Sequence, residues 1–207
     1  AKALETQLRE LQVPYKLSGG TSFYARAEIK DVMCYLRLII NPTDDSAFLR
    51  IINTPKRSIG AVTLEKLGTY AQQRGVSLLT ACTELGLGQA LGQSKALVNL
   101  HEFASWLEDH AREILESTDP VPRIRQLLSD IAYEDYIRET APTPQGAEAR
   151  IENINFLLNS VQNMLNKAAD EDDIIGIPGL FHGFSYQLFG STVILQILSG
   201  HHPVVFT

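Results

Sequence analysis

The sequence predicts a mainly α-helical fold with a small α/β segment at the N-terminus. From Ala27 to about residue 170, apolar residues recur every three or four positions, which is the period of an amphipathic helix. Proline and glycine interrupt this pattern at Pro42, Pro55 and Gly75, and so divide it into successive helices. This region contains no convincing strand pattern.

The α/β segment is predicted from the first 20 residues. Residues 2–11 have leucines at helical spacing, "VPYKL" at 13–17 alternates like a short strand, and "SGG" at 18–20 is typical of a turn. The first ten residues are polar and amphipathic, unlike a signal peptide. Because the chain does not begin with Met, we expect it to be a piece of a longer protein.

The helices of the main region are predicted from their apolar stripes and from the residues at their ends. Thr43 with two following aspartates is typical of a helix start, Ser77 indicates another start, and Gly75 ends the helix before it. "APTPQG" at 141–146 predicts a loop. The predicted helices are residues 27–40, a segment with Phe48 to Ile52, 61–73, a segment around 78–85, 95–116, 120–131 and 147–170.

Composition indicates an ordinary globular protein. Of the 207 residues, 44% are apolar and 20% are charged, with a formal net charge of −6. This acidic balance argues against wholesale coating of nucleic acid, although a local basic patch can still bind it. Cys34 and Cys82 lie far apart in apolar helical settings. They indicate buried thiols in a reducing compartment, and therefore a cytoplasmic protein.

The tail at residues 174–207 differs from the rest of the chain. It contains no Asp, Glu, Lys or Arg, but glycine and proline interrupt its apolar stretches. No run approaches the roughly 18 apolar residues that a membrane span needs, so we expect no membrane partner. Core strands, a buried segment of a truncated unit and a foreign or out-of-frame terminus all fit this composition.

The sequence lacks recognisable catalytic and metal-binding patterns. It has no G-x-x-x-x-G-K-[ST] phosphate loop and no G-x-G-x-x-G turn. His201 and His202 are adjacent without further ligands, and the carboxylates follow solvent-facing helix surfaces. We therefore expect no catalytic residue, no metal ion and no cofactor in this chain.

The stretch "NTPKRSIG" at 53–60, followed by a helix, is the candidate binding site. A basic loop that leads into a helix N-terminus can hold a phosphate, because the first backbone N–H groups are free and the helix dipole favours an anion. This layout is typical of a helix-hairpin-helix-like clamp on DNA, but an ordinary capped turn fits it as well. The candidate DNA-binding residues are Lys56, Arg57, Ser58, Ile59, Gly60, Thr63 and Lys66.

Three long phrases resemble one protein family. They are "GGTSFYARAEIKD" at 19–31, "NTPKRSIG" at 53–60 and "AEARIENINFLL" at 147–158. They are similar to phrases of the Rep/UvrD/PcrA family of superfamily 1 ATP-dependent DNA helicases, especially its Rep-like members. The resemblance covers roughly residues 1–170.

The resemblance implies a domain organisation. Residues 1–30 correspond to a piece of the second RecA-like motor domain (2A), residues 31–173 to the helical subdomain 2B, and residues 174–207 match nothing in the family. It implies that "NTPKRSIG" contacts double-stranded DNA ahead of a fork, and that the other helicase domains are partners in cis. A hinge or subdomain interface is expected at Arg26, Glu28, Lys30 and Asp31.

The resemblance also implies a function for the parent protein. It would unwind DNA in the 3′→5′ direction with ATP and Mg²⁺, in replication or repair, through motor motifs that this chain lacks. The chain itself would be a duplex-binding, regulatory subdomain without ATPase activity. The alternative is a protein-interaction or autoinhibitory helical module without direct DNA contact, which the acidic balance and the long helix at 95–116 with Trp106 also fit.

Overall fold

The computed structural model describes residues 23–92 and 94–170, which fall into two compact units. The larger unit contains residues 27–155, and the smaller unit contains residues 23–26 and 156–170. No strand occurs among the described residues, so the mainly helical fold is confirmed for them. The predicted α/β segment at residues 1–20 and the uncharged tail at 174–207 lie outside the described residues.

The helices follow one another through short connections, after a 3-10 turn at Phe23–Ala25. None of those in the described ranges combines the length and the apolar character needed to cross a membrane. The helices of the described residues are α1 (Ala27–Ile40), α2 (Asp45–Ile51), α3 (Ala61–Arg74), α4 (Leu78–Thr83), α5 (Leu87–Leu91), α6 (Lys95–Glu116), α7 (Pro120–Asp130), α8 (Tyr133–Thr140) and α9 (Pro144–Asp170).

Helix α1 forms the centre of the larger unit. Its residues Ile29, Val32, Tyr35, Leu36 and Ile39 each expose 2% or less of their surface. It packs against α2 and α6, and burial of its apolar side chains is the main source of stability here. Because neighbours cover nearly all of its faces, α1 fixes the position of the α2–α3 connection.

Helix α6 is the second organising element, since it contacts α1, α4, α5 and α7. Its apolar stripe is turned into the core, with Leu100, Phe103 and Leu107 each at most 3% exposed. The Trp106 ring is half-buried and lies edge-on to Tyr35, with the ring centroids 6.3 Å apart. The stripe predicted for residues 95–116 is therefore used for internal packing.

The helix ends match two of the three capping residues predicted from sequence. The exception is α2, whose N-cap is Asp44 and not the predicted Thr43, because the Asp44 carboxylate accepts a hydrogen bond of 3.0 Å from the Ala47 N–H. Ser77 caps α4 in the same way through the Thr80 N–H. Gly75 ends α3 with φ +66°, in the left-handed region that glycine tolerates best.

The structure differs from the sequence prediction in three helices. The short helices α5 and α8 were not predicted, because each buries too few side chains to show a clear apolar stripe. Helix α9 begins at Pro144, within the predicted loop at 141–146. There the Thr143 hydroxyl accepts a hydrogen bond from the Gly146 N–H at 3.1 Å, and proline is well suited to the first helical position.

The two cysteines are buried free thiols, as predicted. Cys34 exposes 6% of its surface and Cys82 exposes none. Burial raises the pKa of the Cys82 thiol to about 12, because the thiolate would lose its hydration. Both side chains therefore behave as small apolar core residues.

The smaller unit is stabilised by aromatic contacts. The Phe23 ring meets Phe156 edge-on, with the centroids 5.4 Å apart, and meets Tyr24 at 5.2 Å. The Arg26 guanidinium carbon lies 5.9 Å from the centre of the Phe23 ring. Leu157, which follows Phe156 on α9, is buried.

Candidate nucleic-acid interface

The connection between α2 and α3 contains the candidate loop, residues 53–60. It ends at Gly60, which is the N-cap of α3. Lys56, Ser58 and Gly60 are exposed, whereas Ile59 exposes only 4% of its surface. The loop therefore buries one apolar side chain in the core and presents the residues around it to solvent.

Asn53 closes the loop through its side-chain amide. Its Oδ1 accepts hydrogen bonds from the backbone N–H of Arg57 at 3.3 Å and of Ile59 at 3.2 Å. Its Nδ2 donates to the Ile59 carbonyl oxygen at 2.5 Å. The Asn53 side chain thus hydrogen-bonds three backbone groups of the loop that have no partner in a helix.

The Arg57 side chain points inward. Its Nη1 donates to the carbonyl oxygens of Ile51, Ile52 and Pro55, at 2.9, 3.2 and 3.2 Å. The first two carbonyls lie at the C-terminus of α2, where carbonyl groups lack helical partners and carry partial negative charge. Nη2 donates to the Tyr35 hydroxyl at 2.7 Å. The guanidinium therefore caps α2 from inside the loop.

Two further hydrogen bonds attach the loop to the core helices. The Tyr35 hydroxyl on α1 donates to the Thr54 carbonyl oxygen at 2.6 Å. Asn99 on α6 donates through Nδ2 to the Arg57 carbonyl oxygen at 2.7 Å. Burial raises the pKa of Tyr35 to about 12, although the Arg57 charge beside it acts in the opposite direction.

The start of α3 is open to solvent. Gly60 has extended backbone angles, φ −79° and ψ 165°, and the helix has no side-chain cap. Gly60, Ala61 and Val62 are exposed, and Val62 exposes 66% of its surface. The first N–H groups of a 14-residue helix are thus presented beside Lys56 and Ser58, along with the positive end of the helix dipole.

A groove of about 500 Å³ lies between the loop, α6 and the end of α7. Lys56, Arg57 and Ser58 line its loop side, and Lys95 lines its α6 side. Glu102 and Asp130 contribute negative charge to the same groove. No cluster of three or more potential metal ligands occurs within residues 23–92 and 94–170.

The predicted junction residues on α1 have partners within the larger unit. Glu28 is 5% exposed and accepts a hydrogen bond from Asn153 Nδ2 at 2.8 Å. Asp31 accepts a hydrogen bond from the Tyr133 hydroxyl at 2.7 Å and forms an ion pair with Arg50. Lys30 is exposed on the same helix.

Comparison with known proteins identifies the family. A family model described as the UvrD-like helicase C-terminal domain matches residues 1–178. The chain belongs to this family. The resemblance proposed from the three sequence phrases is thereby confirmed.

The curated relatives of this UvrD-like domain are DNA helicases by name. The chain is 46% identical over 165 residues to the ATP-dependent DNA helicase Rep of Salmonella typhimurium, covering 80% of the chain and 24% of that protein. It is 44% identical to Rep of Escherichia coli, again over 80% of the chain and 24% of that protein. It is 34% identical to the ATP-dependent DNA helicase PcrA of Bacillus subtilis over 83% of the chain and 22% of that protein. The chain thus spans about a quarter of the length of these relatives.

The structure separates the candidate DNA-binding residues of the UvrD-like domain into two groups. Lys56, Ser58, Gly60 and Lys66 are exposed, and Thr63 is half-buried in the first turn of α3. By contrast, the Arg57 guanidinium and the backbone N–H groups of Arg57 and Ile59 form internal hydrogen bonds. The assignment of all seven to DNA contact stays a prediction, but the internally bonded groups of Arg57 and Ile59 already have partners within the protein.

The residues that hold the loop give no signal in the sequence. Asn53 belongs to the quoted phrase but was not assigned a role, and Tyr35 and Asn99 lie in other helices. Tyr35 lies 22 residues from Arg57 in the chain and Asn99 lies 42 residues from it. No local pattern in a single sequence indicates such long-range partners.

Proposed function

We propose that the chain is the duplex-DNA-binding, regulatory accessory subdomain of a 3′→5′ ATP-dependent DNA helicase. The observation that carries this proposal is the rigidly held loop 53–60, which presents Lys56, Ser58 and Gly60 beside the open N-terminus of α3. The parent protein would act in the cytoplasm, in replication or repair. Its motor domains, with their ATP and Mg²⁺, would lie outside this chain.

The charge of Lys56 is available to an external anion. Lys56 is exposed and has no ion-pair partner among the residues that the structure describes. A phosphate beside it would also meet the unpaired N–H groups at the start of α3. Contacts of this kind give affinity for the DNA backbone without reading its sequence.

The backbone around Gly60 leaves room for close approach. Apart from the two adjoining residues, a Cβ atom added at Gly60 would meet no atom of the described residues within 4 Å, and its backbone angles suit any residue. No contact within this part of the chain therefore requires glycine here. Because glycine has no side chain, an external strand could approach the backbone amides at this position closely, which supports a binding function.

The junction residues support a rotation of the helical body relative to the motor domains in cis, near residues 26–34. Glu28 and Asp31 are held by Asn153, Tyr133 and Arg50, so they would move with the helical body. Lys30 is exposed and Arg26 contacts Phe23 in the smaller unit, so these two residues would lie at the interface that rearranges. Rigid-body rotations of this type are common in switching enzymes.

A salt series with the full chain and a blunt DNA duplex tests the proposal. We expect binding to weaken with salt between about 50 and 200 mM, and Lys56→Ala to reduce the salt slope by about one unit. Arg112→Ala is the matched control, because Arg112 is exposed and lies about 20 Å along α6 from Asn99 at 1.5 Å per residue. Wild-type chain that does not bind the duplex, or an unchanged slope in Lys56→Ala, would instead support the protein-interaction module.

A further inference from the structure

We infer that Arg57 is a positioning residue, which orients the DNA-contacting loop and does not itself neutralise a phosphate. This inference rests on the proposed duplex contact at Lys56, Ser58 and Gly60. It assigns different functions to two adjacent cations, Lys56 and Arg57. Their sequence gives no reason to separate them.

Both terminal nitrogens of the guanidinium donate hydrogen bonds inside the protein. Nη1 and Nη2 together donate to three carbonyl oxygens and to the Tyr35 hydroxyl, at 2.7 to 3.2 Å. An arginine that binds a phosphate needs its planar fork of N–H groups facing the ligand. Here that fork faces the end of α2 and the α1 helix.

An aromatic face holds the same group from another side. The Arg57 guanidinium carbon lies 4.7 Å from the centre of the Phe103 ring and 6.0 Å from that of Tyr35. A cation over an aromatic ring is favourable, particularly when it is partly shielded from water. Arg57 is thus fixed against α6 and α1 as well as α2.

The backbone of Arg57 is held as firmly as its side chain. Its N–H donates to Asn53 and its carbonyl accepts from Asn99. The next residue, Ser58, has φ +58°, a left-handed conformation that is uncommon for residues other than glycine. Such a conformation persists where surrounding contacts over-determine it, and the contacts of Arg57 supply that constraint. Because Arg57 is held in this way, the two residues on either side of it, Lys56 and Ser58, are also held in fixed orientations.

Arg57→Lys is the decisive variant, because lysine keeps the charge but lacks the planar fork. We expect duplex affinity to fall about tenfold, with the salt slope equal to that of the wild type, since the number of phosphate contacts sets the slope. Lys56→Ala should lower the slope. If Arg57→Lys keeps full affinity, or if Arg57→Ala lowers the slope as Lys56→Ala does, Arg57 binds phosphate and the inference is wrong.

Asn99→Ala provides a second variant in case Arg57→Lys does not fold. Asn99 is uncharged, and its side chain holds the Arg57 carbonyl, so its loss should also weaken binding at constant slope. Unchanged binding in Asn99→Ala would contradict a loop held in place by these contacts.

Tryptophan fluorescence separates this inference from the proposed function. Trp106 is the single tryptophan of the chain, and its ring lies 6.3 Å from Tyr35 and 6.1 Å from Phe103, the two rings beside Arg57. We expect Arg57→Lys to change the Trp106 emission and its quenching by acrylamide, and Lys56→Ala to leave both unchanged. If the wild type fails to bind duplex, the proposed function fails, but an altered Trp106 signal still shows that Arg57 orders the loop. An unaltered signal in Arg57→Lys would overturn the inference.

Discussion

Asn153 donates a hydrogen bond of 2.8 Å from Nδ2 to the Oε1 atom of Glu28, across 125 residues of sequence. Glu28 lies in the first turn of α1 and Asn153 lies within α9, so the bond joins the beginning and the end of the larger unit. Glu28 is 5% exposed, and a carboxylate so far removed from water needs a donor. The parts of the two quoted phrases that contain Glu28 and Asn153 therefore meet in space.

The first prediction concerns this bond. Asn153→Ala removes the donor and leaves the Glu28 carboxylate under-satisfied, so the free energy of unfolding should fall by about 1.5–3 kcal/mol. Urea unfolding followed by circular dichroism measures the change. Asn163→Ala is the control, because Asn163 is exposed on the same helix. Equal losses in the two variants would show that the Glu28 contact contributes nothing specific.

The second prediction concerns the buried hydroxyl of Tyr133. Tyr133 is 1% exposed and donates to Asp31, which keeps Arg50 as a second partner. Tyr133→Phe should therefore lower the free energy of unfolding by about 1–2 kcal/mol. Tyr136→Phe is the matched control, since its ring stacks on Tyr133 at 5.7 Å and its hydroxyl forms no hydrogen bond with the described residues. A larger loss in Tyr136→Phe would contradict this account.

The third prediction is a loss of stability at alkaline pH. Burial raises the pKa of Tyr35 to about 12 and also raises that of Tyr133, whereas an unfolded tyrosine has a pKa of about 10. Between these values the unfolded chain has lost the phenolic proton that the folded chain retains, so stability falls as pH rises. Below about pH 10 both states keep the proton, and this stabilisation is complete.

Urea unfolding at a series of pH values, with tyrosinate absorbance as a second signal, measures this effect. Tyr35→Phe should be less stable at neutral pH, because it loses two hydrogen bonds, but its stability should decline less steeply above about pH 10. The two proteins differ in no other titratable group, so the difference between the slopes isolates the phenol. Identical slopes would contradict a raised pKa at Tyr35.

The fourth prediction distinguishes folding from DNA contact at Gly60. In Gly60→Ala, the poorer N-cap and the smaller entropy of the unfolded chain should nearly offset each other, so the free energy of unfolding should change by less than about 0.5 kcal/mol. If the proposed contact at Gly60 is correct, duplex affinity should nevertheless fall several-fold, because the new methyl group would face the bound strand. Thermal unfolding and duplex titration of the same preparation measure the two effects.

Gly68→Ala is the control on the same helix. Beyond its own helix backbone, its added Cβ also meets no atom of the described residues within 4 Å, but the position lies inside α3 and away from the loop. Alanine there should raise the free energy of unfolding by about 0.5–1 kcal/mol and leave duplex binding unchanged. Full duplex affinity in Gly60→Ala would exclude close contact at that residue.

The sequence by itself determined the helical character of residues 27–170, the start at Ser77, the end at Gly75 and the family, whereas α2 starts at Asp44, one residue after the predicted Thr43. These properties depend on local spacing, on capping side chains and on long matching phrases, all of which are readable along the chain. The short helices α5 and α8 escaped prediction because their existence depends on packing more than on a stripe of their own.

Only the tertiary structure decided which of two adjacent cations is exposed and which is held by internal hydrogen bonds. Lys56 and Arg57 are equivalent as a local pattern, and either could bind a phosphate. Arg57 turns inward because the carbonyls at the end of α2, the Tyr35 hydroxyl and the Phe103 ring converge on its planar group. These partners come from three helices, and only packing of α1, α2 and α6 brings them to one point.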